Sequence, residues 1–311
     1  MPVTTPVLVE QLAFGIKSET AYGTFSAPTT SDYLYVDKCD AKFESEDIAR
    51  QYKSGDLNDL ESAQGPVLMS FAVEGEYMIK SGSACPPMDA IERACGMTAS
   101  TATMVTTYSG SSIAPTSFPG PGQSATILAY YRNELIAIKG AYGDYEEEHK
   151  SNGVITFKFT GKGLYQTWST GTAPSPAYAT GSYIRVSSSS LSVQAYVPEW
   201  SIFRVKYGNT VEAIPFAGDV TGYSRVVITK RRPTFEFDPL LPGTATHDYI
   251  SNLVGKTKGA MTYSVGSVNG FKMAYSATLS QYTAVDVMNR NGVQGFNVTS
   301  KIIGPFTKVL Q

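Results

Sequence analysis

One pattern occurs twice in this 311-residue chain, and it limits the folds open to it. The stretch Asn133–Lys162 contains Asn152-Gly153-Val154 and runs into Val154-Ile155-Thr156-Phe157-Lys158-Phe159. The stretch Asn269–Lys301 contains Asn291-Gly292-Val293 and runs into Val293-Gln294-Gly295-Phe296-Asn297-Val298. An Asn-Gly between two such runs signals a β-hairpin, because both residues tolerate positive φ. Upstream of each copy lies a short segment with an acidic start and a glycine stop, Asp89–Gly96 and Asp248–Gly255. Each predicts a short helix. The order helix, hairpin, strand is thus repeated, and repetition decides architecture before any single element does. The spacing differs between the copies, and a Ser/Thr/Gly/Pro-rich insert at 98–124 accounts for the difference.

The repeat predicts two domains of ordinary size, 1–175 and 183–311, joined through a Ser/Thr/Gly/Pro/Ala-rich linker at 169–182. Each half reads as mostly strand with one helix, so the predicted class is β-dominated α+β. In the first half, Phe14–Thr24 predicts a strand running into a glycine turn. Tyr33–Val36, Ala41–Phe43 and Val67–Tyr77 predict further strands, and Pro86-Pro87 leads into the helix at 88–95. The insert 98–124 shows no periodicity and predicts a surface loop. In the second half, strands are expected near 183–205, at 226–230 and at 234–237, then the helix at 247–254 and the hairpin 261–301.

Between Phe43 and Val67 lies the most hydrophilic part of the chain. It carries Glu44, Glu46, Asp47, Arg50, Lys53, Asp56, Asp59 and Glu61 and closes at Gly65-Pro66. Polar segments of this length between strands exceed an ordinary hairpin loop and usually serve contact or stay unfolded. It predicts an arm, at about 44–66, and these eight residues as the candidate contact between subunits. A shorter candidate for a second arm is 205–222.

The net charge of −2 argues against a sequence-reading nucleic-acid binder. Charged residues make up 17%, below the usual quarter, and 20 tyrosines are present, a residue favoured at interfaces. Both point to surface covered by other chains. Cys39, Cys85 and Cys95 show no metal or disulfide spacing and suit a reducing compartment. The N-terminus lacks the features of a signal peptide, and no stretch approaches eighteen apolar residues, so no membrane span is expected.

Catalytic chemistry finds little support. His149, after Glu146-Glu147-Glu148, and His247 read as surface histidines, with no spacing for a metal. Gly255-Lys256-Thr257 lacks the earlier glycine of a phosphate loop and ends a helix where phosphate needs a beginning. Asp56–Leu60 starts like a calcium loop but places Leu60 at a ligand position. Asn297-Val298-Thr299 is a glycosylation sequon, without meaning unless the chain is secreted. The carboxylates at 44–61 and 144–148 read as a solvated loop and a solvated hairpin turn ahead of a glycosidase pair. No Gly-x-Ser-x-Gly elbow is present. Lys230-Arg231-Arg232-Pro233 reads as an exposed basic strand end, or as a patch facing acidic groups on a neighbour. A non-enzymatic, self-assembling subunit with no cofactor is the expectation.

Lys17-Ser18-Glu19-Thr20-Ala21-Tyr22-Gly23-Thr24 resembles the Lys-x-Glu-x-x-Tyr-Gly-Thr start of major tail tube proteins of long-tailed bacteriophages. The acidic arm, the strand with Val73-Glu74-Gly75, Pro86-Pro87 before a helix ending at Gly96, and the late Asn-Gly-Val strands are similar to that family in the same order. The resemblance covers nearly the whole chain. It implies β-sandwich or barrel domains, each with one short flanking helix and a long inter-strand arm. It implies rings of six domains, stacked into a tube that houses the tape measure protein and later conducts DNA without sequence-specific binding. Two repeats per chain then imply a trimeric ring with pseudo-sixfold symmetry; if the second half is only a decoration, the ring holds six chains. Tail terminator and distal tail proteins are the implied partners at the ends, and the virion, after assembly in the host cytoplasm, the implied location. Repulsion by an acidic lumen would let a polyanion pass. The competing expectation is a two-domain carbohydrate-binding or adhesin-like β-sandwich, which clustered exposed tryptophans would favour; only Trp168 and Trp200 are present.

Overall fold

The computed structural model describes residues 12–48, 63–80, 83–102, 105–110, 123–131, 133–171, 181–219, 222–268, 270–290 and 292–311. The first elements are β1 (Leu12–Ser18), β2 (Tyr33–Leu34), β3 (Lys38–Ile48), β4 (Ala63–Glu76), β5 (Met78–Lys80) and β6 (Ser83–Ala84). Then come α1 (Pro86–Ala94), β7 (Thr98–Ala102), β8 (Val105–Gly110), β9 (Ala125–Tyr131), β10 (Glu134–Lys150) and β11 (Ile155–Thr170). The remainder holds β12 (Ser182–Tyr183), β13 (Ser190–Val193), β14 (Ile202–Lys206), β15 (Asn209–Pro215), β16 (Tyr223–Arg231) and β17 (Thr234–Phe237). It ends with α2 (Tyr249–Val254), β18 (Lys258–Val265), β19 (Met273–Arg290) and β20 (Val293–Leu310). The fold is β-dominated, with large antiparallel sheets and two α-helices among the described residues.

Two long hairpins carry the architecture. β10 pairs with β11 from Glu134↔Thr170 to His149↔Ile155, and β19 pairs with β20 from Met273↔Leu310 to Arg290↔Val293. The Asn-Gly chemistry acts as expected: Asn152 has φ 63° and Gly292 has φ 86°. Because β11 occupies one whole edge of β10, the other edge is shared by β9 at Glu134–Ala141 and β14 at Glu146–Lys150. β20 repeats this plan, with β17 at Val298–Lys301 and β8 at Phe306–Leu310. β14 pairs with β17, so the main path runs β3-β4-β11-β10-β14-β17-β20-β19-β18-β13. Strands from both sides of residues 169–182 are therefore hydrogen-bonded in one sheet.

One face of that sheet holds the core. Met69, Phe71 and Val73 of β4, Phe157 and Phe159 of β11, Tyr145 of β10, Phe203 and Val205 of β14, and Tyr263 of β18 belong to a single buried cluster with Met88 and Ile91 of α1. Strict alternation along these strands sends the odd-numbered residues of β4 and β11 inward. The opposite face carries two smaller buried patches among the described residues, one of Ala13, Tyr33, Leu128, Tyr130 and Ala137 and the other under a hairpin. There the hairpin β15–β16 lays Val226 and Ile228 against Leu68, Tyr142 and Leu164.

Several expectations are corrected. Within the insert 98–124, residues 98–102 and 105–110 are not loop: β7 and β8 pair with each other, and β8 adds to β20, while residues 103–104 and 111–122 fall outside the described residues. Thr106, Tyr108 and Gly110 alternate inward there, a period hidden because threonine and glycine do not read as apolar. The open edge of β20 beyond β17 offered a ladder for them to complete. The candidate second arm at 205–222 is no arm; in its described part it is the end of β14, then β15 and the start of the turn, packed on the sheet. Residues 169–170 belong to β11 and 182 to β12. The carboxylates at 144–148 lie within β10, not in a turn, because the turn falls at Ser151–Gly153. His149 is fully buried, not on the surface. Its strand neighbours Glu146 and Glu148 face outward, and alternation turns Glu147 and His149 into the core.

Candidate functional site

The Lys17–Thr24 motif builds a clamp. Glu19 is buried, and its carboxylate accepts hydrogen bonds from Gly23 N (2.8 Å), Ser124 Oγ (2.5 Å), Thr126 Oγ1 (2.9 Å) and Gly140 N (2.8 Å). Four donors from three segments thus converge on one side chain. Tyr22 stacks on Tyr142 at 6.1 Å and accepts a hydrogen bond from Val226 N (2.6 Å). Burial raises the Tyr22 hydroxyl pKa, so it stays protonated. Gly23, at φ +70°, makes the turn that aims its N–H at Glu19. The motif ties β1 to the bulge of β10 and to the β16 hairpin. Glu19→Ala would leave the Gly140 N–H and the Thr126 hydroxyl buried without an acceptor. A loss of about 2 kcal/mol in urea-denaturation stability is expected; an unchanged midpoint would refute the clamp.

The projecting hairpin is the second feature. β3 and β4 stay paired from Lys38↔Glu74 out to Ile48↔Ala63. Glu44 lies in β3 with its carboxylate 3.9 Å from Lys162 Nζ. Glu46 and Asp47 also lie in β3, Asp47 opposite Gln64. Arg50, Lys53, Asp56, Asp59 and Glu61 fall outside the described residues. In its described part, 44–48 and 63–66, the arm is therefore the continuation of two sheet strands.

Beside the arm, the uncovered sheet face carries a ladder of alternating charges. Lys38, Glu74, Lys158, Glu146 and Lys206 stand directly opposite one another across β3, β4, β11, β10 and β14. Lys158 Nζ is 2.8 Å from Glu74, and Lys206 Nζ is 3.5 Å from Glu146 and 3.4 Å from Glu236. In the next row Arg204 Nε donates to Glu148 at 2.6 Å. Half-exposed pairs of this kind contribute about 0.2–1 kcal/mol each. Their larger effect is on surface character: each cation in the row has a carboxylate beside it. The signal for this row was present as acid–x–acid–x–acid in Asp144–Glu148 and Arg-x-Lys in Arg204–Lys206.

The interior holds ionisable groups that composition did not reveal. Lys308 of β20 donates to both Glu92 of α1 and Glu147 of β10, and all three side chains are fully buried. Tyr207 donates to Glu92 (2.7 Å), and Tyr145 and Tyr275 to Glu147 (2.6 Å each). His149 bridges Glu147 (3.1 Å) and Tyr263 (3.0 Å). Burial would raise the Glu147 pKa, but Lys308 and His149 outweigh it and hold it down at about 2. Burial raises Glu92 against the pull of the same lysine, and burial lowers His149. Glu147 is thus the fixed anion and Glu92 the carboxylate that takes a proton first. Neutral His149 donates to Glu147 and accepts from Tyr263. Sealed from solvent, this network offers no entry to a substrate.

Among the described residues, no group of His, Cys, Asp and Glu is arranged to hold a metal ion. The three cysteines are free and buried. No described helix is long and apolar enough to cross a membrane. The chain matches no protein-family model and no curated protein.

Proposed function

We propose that this chain is a structural virion protein: a phage tail tube subunit that assembles with its own copies into stacked rings. The observation that supports this reading best is the β3–β4 hairpin. It runs as paired strands out to Ile48↔Ala63 and leads into a segment rich in acidic and polar residues. Such an element is stable only if something receives it. The two-fold use of one hairpin plan suits two tube repeats per chain, and hence three chains to a ring of pseudo-sixfold symmetry. Cyclic closure makes the ring, and an open axial contact makes the stack. The channel would house the tape measure protein and pass DNA, with terminator and distal tail proteins at its ends. The paired charge ladder suits such a role, because it presents no run of unpaired cations to a phosphate backbone. Trp200, against Phe203 and Tyr263, packs on the core, so it forms no exposed pair with Trp168 of the kind a glycan-binding module would want.

The test is negative-stain electron microscopy across a concentration series, with light-scattering mass on the same fractions. Rings or tubes with a central channel, built from units near 100 kDa for three chains of 33.5 kDa, are expected. Six chains per ring would keep the function and remove the two-repeat reading. A monomer at every concentration that binds glycans would overturn the proposal.

A further inference from the structure

The Lys230-Arg231-Arg232 run does not end as a simple exposed strand. Lys230 and Arg232 are exposed, but Arg231 between them turns inward. Its Nε donates to Asn209 Oδ1 (3.0 Å) and Nη2 donates to the carbonyl of Cys95. Nη1 lies 3.9 Å from Met97 Sδ, a weak acceptor. These partners are all neutral. Among the described residues no carboxylate lies within ion-pair distance of Arg231; burial lowers its pKa, and Asp144 and Glu92 act against that from farther away. A guanidinium has five N–H donors, so part of its capacity is left over. Above it opens a cleft of about 440 Å³, lined by the three cations and by Gly110, Ile302 and Phe306. Gly110 keeps it open, since a Cβ there would lie 3.2 Å from Arg231 Nη1. A half-buried cation with no carboxylate in direct contact, flanked by two exposed ones, offers a site for an anion.

The chain carries a matching anion. Segment 44–61 holds six carboxylates against Arg50 and Lys53, a net of −4. The root of the arm is at Pro66, beside Gly222. From Gly222 to Arg231 is nine residues of extended chain, about 30 Å at roughly 3.3 Å each. Arm root and cleft thus sit at opposite ends of β16, an arrangement that matches a head-to-tail contact between copies. A DNA backbone would need an extended basic track, whereas this is one compact cluster of three cations.

We propose that the Lys230–Arg232 cleft is a carboxylate-binding site that receives the acidic segment 44–61 of a second copy of this chain. The inference rests on the assembly reading above. The contact would use Arg231 as a bidentate fork and Lys230 and Arg232 as the rim, with the rim setting the salt dependence.

The probe is a fluorescently labelled synthetic peptide of residues 44–61. It is titrated into the full chain at low ionic strength, at concentrations where light scattering reports a single chain. Saturable binding is expected. It should weaken by about tenfold or more in the exposed-residue variant K230E/R232E, and again when the six acids of the peptide are replaced by amides. Absence of binding, or binding indifferent to both changes, overturns the proposal. A short DNA duplex that binds through the same three cations while the peptide does not would assign the cleft to phosphate and likewise overturn it. Peptide binding without rings in the microscope would keep the docking and remove the tube. Tubes without peptide binding would remove the docking alone.

Discussion

Lys308→Met is expected to cost about 3–5 kcal/mol at pH 7, the loss that follows when a buried ion pair is broken from one side. The reason is local. Glu92 and Glu147 approach each other only because the Lys308 ammonium lies between them, and its ring neighbour Tyr77 (3.9 Å to the centroid) offers no anion to replace either. Without the lysine, two carboxylates share a dry site, and one must take a proton or the packing must open. The pH dependence separates this account from a plain packing defect. In the wild type, Glu147 has a lowered pKa, so its contribution is full above the unfolded carboxylate value of about 4.3 and is lost as pH falls towards about 2. His149 is lowered too, so its contribution declines as pH falls below about 6.5. Glu92 is raised and acts oppositely: its contribution is present below about 4.3 and is lost as pH rises through its folded value. In the variant both carboxylates shift upward, so acid relieves the repulsion while it weakens the wild type. The stability gap, read from urea midpoints, should therefore narrow between pH 7 and pH 5. A constant gap would show that lost packing, not charge, sets the cost. The triple variant K308M/E92Q/E147Q should recover much of the loss, since removing all the charges is far cheaper than stranding two.

That network explains what was legible in the sequence and what was not. Local signals gave the helices to within a few residues, the two hairpins with their Asn-Gly turns, and the β-dominated class, because caps, turns and period-2 alternation act over a few residues. Of the eight arm residues expected in a polar projection, Glu44, Glu46 and Asp47 lie in β3, and the other five fall outside the described residues. Alternation was hidden at Glu146-Glu147-Glu148-His149, which resembles a solvated turn because it is charged, yet a strand of period 2 must bury every second member. What made burial tolerable was Lys308, which stands 161 residues from Glu147 and 216 from Glu92. No local pattern reports a partner at that distance. The same holds for β8, whose threonines became core only because β20 left an edge beside them. Glu19 lies within a recognisable motif, but its four donors come from Gly23, Ser124, Thr126 and Gly140, and only the first is near in sequence.

Gly161→Val should prevent folding at ordinary temperature, with a cost of about 4 kcal/mol or more, above the usual 1–3 kcal/mol of overpacking. Gly161 and Gly143 are direct partners across the β10–β11 ladder. A Cβ at Gly161 would lie 2.1 Å from the Tyr142 carbonyl oxygen, 2.7 Å from Gly143 Cα and 2.7 Å from the Phe71 ring. Two of those three atoms are backbone, so no rotamer change relieves the clash. The approach is close because β10 is irregular just before it, with a register shift between Lys139 and Tyr142 and Gly140 at φ +59°. That bulge also sets the Gly140 N–H against Glu19, so the motif near the N-terminus and the paired glycines hold one bend from two sides. Valine would have to straighten the bend or part the strands, and either would pull Phe71 and Phe159, whose rings sit 5.0 Å apart, out of register. The comparison that isolates the cause is Gly153→Ala in the hairpin turn, where the nearest atom to a Cβ is the Lys150 carbonyl at 3.1 Å and the rest lie at 3.6 Å or beyond. That variant should stay folded. Soluble Gly161→Val protein with a wild-type urea midpoint would mean that the two strands do not approach as closely as their glycines allow.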